Sequence, residues 1–167
     1  MPRVRLLVFP GRTDLPRVQR PGDARREHDS GADEIDGADR NFRRLAAATR
    51  TAQGHNPLCG DNIALFLEMD GDVIKDIAFQ GSGCAISKAS ASLLTEAVKG
   101  RTKAEVKQMF ARVHDLVTKG QASGGDLGKL AVFAGVHKFP TRVKCAMLAW
   151  HATLAALEGQ DQPVSTE

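Results

Sequence analysis

Cys59, Cys84 and Cys145 are the side chains of this sequence best suited to metal or sulfur chemistry. Cys59 lies in Asn56-Pro57-Leu58-Cys59-Gly60-Asp61, Cys84 ends Gly81-Ser82-Gly83-Cys84, and Cys145 ends Thr141-Arg142-Val143-Lys144-Cys145. Three thiolates and the Asp61 carboxylate make four ligands, the number a tetrahedral zinc site takes. Residues two apart share no helix face, but in a turn leading to a strand both can converge on one ion. Pro57 and Gly60 supply the bends. A carboxylate is a more labile zinc partner than a thiolate, which suits a site that exchanges a ligand.

Cys84 follows two glycines that let the backbone approach a metal or partner closely. A helix expected from Ser87 places its positive end beside this thiol and favours thiolate. Cys145 is expected in the first turn of the last helix, where Arg142 and Lys144 add positive charge. A single free cysteine is more often a small buried hydrophobe. Three of them, each at a turn or helix start, favour a joint site, although Cys-x-Asp alone is a common spacing. His55 and His137 are near the candidate ligands in sequence, but lone histidines are mostly solvated or satisfied locally. His151, six residues past Cys145, falls on another helix face. Trp150 reads as core.

The elements that must position these residues show in the apolar pattern. Ile63, Leu65, Leu67 and Met69 alternate along one strand, Asp70-Gly71 marks a hairpin, and Val73, Ile77 and Phe79 line the return strand. Ser87 to Val98 reads as a helix ended by Gly100. Thr102 with Glu105 forms a capping box for the next helix, whose stripe is Val106, Met109, Phe110, Val113 and Val117. Asp126 is expected to cap a short helix stopped by Gly135. Thr141 is the expected N-cap of the last helix, which carries Val143, Ala146, Met147, Trp150, Leu154 and Leu157. A short helix is envisaged over 40–49. Residues 1–39, with four prolines and no sustained period, are expected to be a disordered arm, and 159–167 a polar tail. A hairpin followed by helices gives an α+β domain over 40–158, with a small antiparallel sheet packed by helices.

Composition narrows the function classes. A chain that is 42% hydrophobic has enough apolar surface for a folded core. A net charge of +3, with basic residues scattered, argues against nucleic acid as a partner. No apolar run reaches membrane-spanning length, and the N-terminus lacks the apolar core of a signal peptide. Three cysteines without an export signal point to reduced thiols in the cytoplasm.

The segments Asn56–Asp61, Phe79–Ser90 and Phe139–Trp150, in this order, resemble the IscU/NifU-like family of iron–sulfur cluster assembly proteins. The resemblance runs from about Arg40 to Leu157. Lys144 stands where IscU-type members carry a histidine, and Gln121 to Val136 looks like an insertion of the SufU branch. The resemblance implies an antiparallel sheet covered by helices. It implies zinc ligation by Cys59, Asp61, Cys84 and Cys145, with Cys59 as sulfur acceptor. The implied partner is a PLP-dependent cysteine desulfurase of the SufS type, with further iron–sulfur assembly machinery downstream. The implied activity is a zinc-dependent sulfurtransferase; the alternative is a non-enzymatic scaffold that holds an iron–sulfur cluster on the same ligands. Arg142 and Lys144 are candidates for steering the anionic persulfide, and a plain solvated role is open for both. Members usually open with an amphipathic helix leading into Arg40-Asn41-Phe42. Asp23 to Asp39 departs from that pattern, so a different native start is expected.

Overall fold

The computed structural model describes residues 40–160 and 162–166. The arm expected over 1–39, and the departure at Asp23 to Asp39, lie outside them. The element order is β1 (Arg50–Asn56), β2 (Asp61–Asp70), β3 (Val73–Ser82), α1 (Ala85–Val98), α2 (Lys103–Lys119), a 3-10 helix (Gly128–Lys138), α3 (Pro140–Glu158) and β4 (Val164–Ser165). The sheet order is β3-β2-β1-β4. The three long strands pair antiparallel, as expected. Within the polar tail, the two-residue β4 adds a parallel edge, pairing Val164 with Gly54 and Ser165 with His55.

β2 follows its alternation, and Ile77 and Phe79 are buried on β3 as expected, but Val73 is exposed and Ile74 is buried instead, because the register shifts across a bulge near the turn. Ile63, Leu65 and Leu67 are buried, and the two-residue turn passes through Gly71 at φ 57°. That bulge, between Glu68 and Met69, leaves Met69 only half-buried. The short helix envisaged over 40–49 is absent: that segment forms turns and an isolated bridge from Phe42 to Phe79, and β1 follows it. The inward positions of β1 are Ala52, Gly54 and Asn56, so it lacks the large apolar alternation by which strands are recognised. The small residues are required by α3. A Cβ on Gly54 would lie 2.9 Å from Leu148 Cδ1.

α1 starts at Ala85, capped by Cys84, two residues earlier than expected. The Thr102/Glu105 capping box at α2 is formed in both directions. Asp126 Oδ1 accepts from Gly128 N–H at 2.8 Å, but Leu127, not Asp126, is the N-cap of the next element. That element is a 3-10 helix, not an α-helix, and it runs through Gly135 to Lys138. Its buried residues are Leu130, Phe133 and Val136, a period of three that a 3-10 helix places on one line. Thr141 is not the cap of α3. Pro140 occupies the first turn after Phe139, where its fixed φ and missing N–H cost nothing. α3 is buried around almost its whole girth from Cys145 to Leu157, the pattern of a central helix. It packs against the sheet and α1, with Trp150 fully buried in the core.

Candidate metal and sulfur site

Three elements deliver the site. Asp61 opens β2 in phase with Ile63, so the alternation that buries Ile63 also buries its carboxyl group. Asn56 ends β1 opposite Asp61. Between them the hairpin loop carries Cys59, tied back by Cys59 N–H and Gly60 N–H to Asn56 O at 3.3 and 2.8 Å. Gly60 takes a left-handed φ of 70°. Cys84 stands at the N-cap of α1, and its Sγ accepts from Ser87 N–H at 3.4 Å. Cys145 lies in the second turn of α3, later than the first turn expected, because the helix starts at Pro140.

The ligand atoms of Cys59, Asp61 and Cys145 all lie within 4.8 Å of one another. Cys145 Sγ is 3.2 Å from Cys59 Sγ. Cys84 flanks this group, with its Sγ 3.8 Å from Asp61 Oδ2. All four predicted ligand positions therefore meet at one place, three tightly and the fourth at its edge.

The surroundings suit a cation. Asp61 is fully buried, and among the described residues no Lys, Arg or His forms an ion pair with it. A buried carboxyl group without a counter-charge is costly. Asp61 Oδ1 accepts from Cys84 N–H at 2.8 Å. That bond orients the carboxyl group and leaves Oδ2 on the thiol side. Gly83 leaves room for it, since a Cβ there would sit 2.8 Å from Asp61 Oδ1. Burial pushes the Cys145 thiol far up from the usual thiol range, and hydrogen bonding with Cys59, Asp61 and Cys84 adds to this. A divalent cation reverses that preference by stabilising thiolates directly.

Arg142 reaches the rim, with Nη1 3.9 Å from Cys59 Sγ. Hydrogen bonding with Cys145, and then the charges of Cys84, Cys59 and Cys145, raise its pKa. Lys144 precedes Cys145 half-buried and makes no hydrogen bond or ion pair with the site among the described residues. His55 bonds Asn62 Oδ1 through Nδ1 at 2.9 Å. His137 contacts Ala134 O, and His151 packs edge-on to Phe110. None of these histidines joins the three-ligand group. The residue that sequence reasoning passed over is Asn56, fully buried, whose Nδ2 donates to Cys145 Sγ at 3.3 Å. Its only local signal is Asn-Pro, which marks a turn rather than a contact 89 residues away in sequence.

The family model of the NifU-like N-terminal domain matches residues 37–157, which include every residue of this cluster. The chain belongs to that family. The zinc-dependent sulfurtransferase SufU of Bacillus subtilis is 43% identical over 99 residues, covering 59% of this chain and 67% of its own. The iron–sulfur cluster assembly scaffold protein IscU of Streptococcus pyogenes is 44% identical over 108 residues, covering 64% and 67%. A solved SufU structure from Fervidobacterium islandicum superposes with a TM-score of 0.65 at 35% identity, over 70% of this chain and 86% of the other. A NifU-like N-terminal structure from Brucella abortus, 23% identical with a TM-score of 0.67, shares the fold over 73% and 85%. The resemblance read from the three cysteine segments is thus borne out, and this NifU-like chain is a member of an iron–sulfur cluster assembly family. No helix among the described residues is long and apolar enough to cross a membrane.

Proposed function

We propose that this chain is a zinc-dependent sulfurtransferase of iron–sulfur cluster assembly, accepting sulfur on Cys59 from the persulfide of a SufS-type, PLP-dependent cysteine desulfurase. The observation that carries this reading is the unequal anchoring of the cluster. Asp61 and Cys145 are fully buried on a strand and a helix, whereas Cys59 is half-buried on a four-residue loop at the rim. Cys59 is the one member of the tight group that can leave and return without moving a core element.

The donor set fits zinc: sulfur and one carboxylate, buried, with a backbone N–H orienting the carboxylate. When bound, zinc keeps the thiols deprotonated and ties the Cys59 loop to α1 and α3. Cys59, Asp61, Cys84 and Cys145 would hold it. In the transfer, the Cys59 thiolate attacks the outer sulfur of the desulfurase persulfide. A new S–S bond forms on Cys59, the old S–S bond breaks, and the desulfurase cysteine leaves as thiolate. Arg142, exposed and beside Cys59, lies where it would meet the incoming anion, and Lys144 adds charge on the same turn. The sulfur would then pass to downstream assembly proteins, in a cytoplasm that keeps these thiols reduced.

Alanine released from cysteine by the desulfurase tests the reading. Addition of the zinc-loaded chain is expected to raise the rate severalfold, and Cys59→Ala to abolish that gain. An active desulfurase that is not stimulated by the zinc-loaded protein contradicts the proposal. The scaffold reading is kept because the relative named as a scaffold is as similar as the relative named as a sulfurtransferase. Anaerobic reconstitution with iron and sulfide separates the two, since a scaffold retains cluster absorbance after desalting.

A further inference from the structure

The buried amide of Asn56 links the loop that carries Cys59 to the sulfur of Cys145. Its Oδ1 accepts from Leu58 N–H at 3.2 Å, inside the loop that carries Cys59. A backbone N–H can only donate, so this bond fixes the amide orientation and turns the NH₂ group toward α3. There Nδ2 donates to Cys145 Sγ at 3.3 Å. The backbone oxygen of the same residue holds Cys59 N–H and Gly60 N–H. One residue therefore shapes the Cys59 loop and places a donor on the sulfur of Cys145.

The two thiols are 3.2 Å apart, so distance alone does not choose between them as acceptor. Their surroundings do. Cys145 is fully buried and receives the Asn56 N–H, whereas Cys59 is half-buried and its one nitrogen donor among the described residues is Arg142, at 3.9 Å. An N–H aimed at a sulfur occupies a lone pair and opposes its attack on a second sulfur. The same bond orients the sulfur as a metal ligand.

We infer that Asn56 is a positioning residue that holds Cys145 as the retained ligand and so makes Cys59, not Cys145, the thiol that takes sulfur. This inference rests on the reading of Cys59 as acceptor and deepens it. The donor to Cys145 is separable from the loop turn. A serine at this position can still accept from Leu58 N–H, although more weakly than asparagine. It is too short to reach Cys145.

The experiment uses the full zinc-loaded chain, with Asn56→Ser and Asn56→Ala beside it, and inorganic polysulfide as the sulfur donor. Two readouts are taken: zinc release to a colorimetric chelator, and mass mapping of the added sulfur among the cysteine peptides. Both variants are expected to release zinc about 10- to 100-fold faster, the range for a lost hydrogen bond to a ligand. Both are expected to shift a measurable share of sulfur from Cys59 to Cys145. Wild-type retention and mapping in Asn56→Ser overturns the inference, whatever Asn56→Ala does, because Asn56 then serves the turn alone. If Asn56→Ala does not fold, Asn56→Ser decides. Wild-type protein that takes no sulfur on Cys59 counts against the acceptor reading instead, and the zinc-release arm still judges Asn56.

Discussion

At the scale of single residues, the site depends on where a few atoms are allowed to be. Asp61 is an ordinary aspartate made unusual by strand phase, which turns it inward with Ile63 and away from water. Cys84 N–H then fixes one carboxylate oxygen, and Gly83 keeps the space open. Gly83→Ala therefore carries a specific expectation. Its Cβ would force Asp61 Oδ1 from 2.8 Å, and backbone and carboxylate cannot both hold place. We expect zinc affinity to fall by on the order of 10-fold, measured by chelator competition, with the helical circular dichroism unchanged. Unchanged affinity would mean that Asp61 is not held by this cradle. The four candidate residues were legible in sequence from their settings beside Pro, Gly and helix starts, and the structure brings them to one place. Asn56 was not legible, because its role exists only once α3 has brought Cys145 beside it.

At the scale of elements, the β2–β3 hairpin and the helices were readable wherever large apolar residues repeat at the right period. β1 was not, since its inward face is Ala52, Gly54 and Asn56, chosen to admit a helix rather than to supply bulk. The short helix expected before Gly135 is a 3-10 helix that runs on to Lys138, with Leu130, Phe133 and Val136 buried at a period of three. β4 is too short to carry a pattern. The tightness at β1 can be tested directly. Gly54→Val would drive two methyl groups toward Leu148 and Ala152, whose atoms already lie 2.9 and 3.4 Å from where a Cβ on Gly54 would stand. Overpacking of this kind costs about 1–3 kcal/mol, and urea unfolding should register that loss. A neutral result would show that α3 stands further from β1 than described.

At the scale of the whole molecule, the described fold is closed by a polar tie as well as by its core. Asp76 on β3 bonds Arg43 at 2.7 Å and Lys99 at 2.8 Å, joining the segment before β1 and the end of α1 to the sheet. Burial works to raise the Asp76 pKa, but hydrogen bonds from Lys99, Arg43 and Ile77 N–H outweigh it and bring it to about 2. A carboxyl group depressed on folding stabilises the native state above its unfolded pKa, and that contribution fades as pH falls through the folded value. Stability should therefore decline between about pH 4 and pH 2, with Asp76 accounting for about 1–2 kcal/mol after allowance for the exposure of its partners. Asp76→Asn should flatten that part of the profile in thermal melts, and an unchanged profile would remove Asp76 from the account. Metal adds a second global term, because an ion bound only by the folded chain raises its stability. Zinc removal by chelation should lower the melting temperature of the wild type, and should do so little in Asp61→Ala.

The central claim is that Cys59 takes sulfur while its neighbours stay in place. The most direct measurement is a single turnover of a SufS-type desulfurase with cysteine and the zinc-loaded chain, quenched by thiol alkylation and followed by peptide mass mapping. The account predicts one added sulfur on the Cys59 peptide, with Cys84 and Cys145 unmodified. Sulfur found on Cys145 or Cys84 instead, or no sulfur on the chain while alanine is formed, would contradict it.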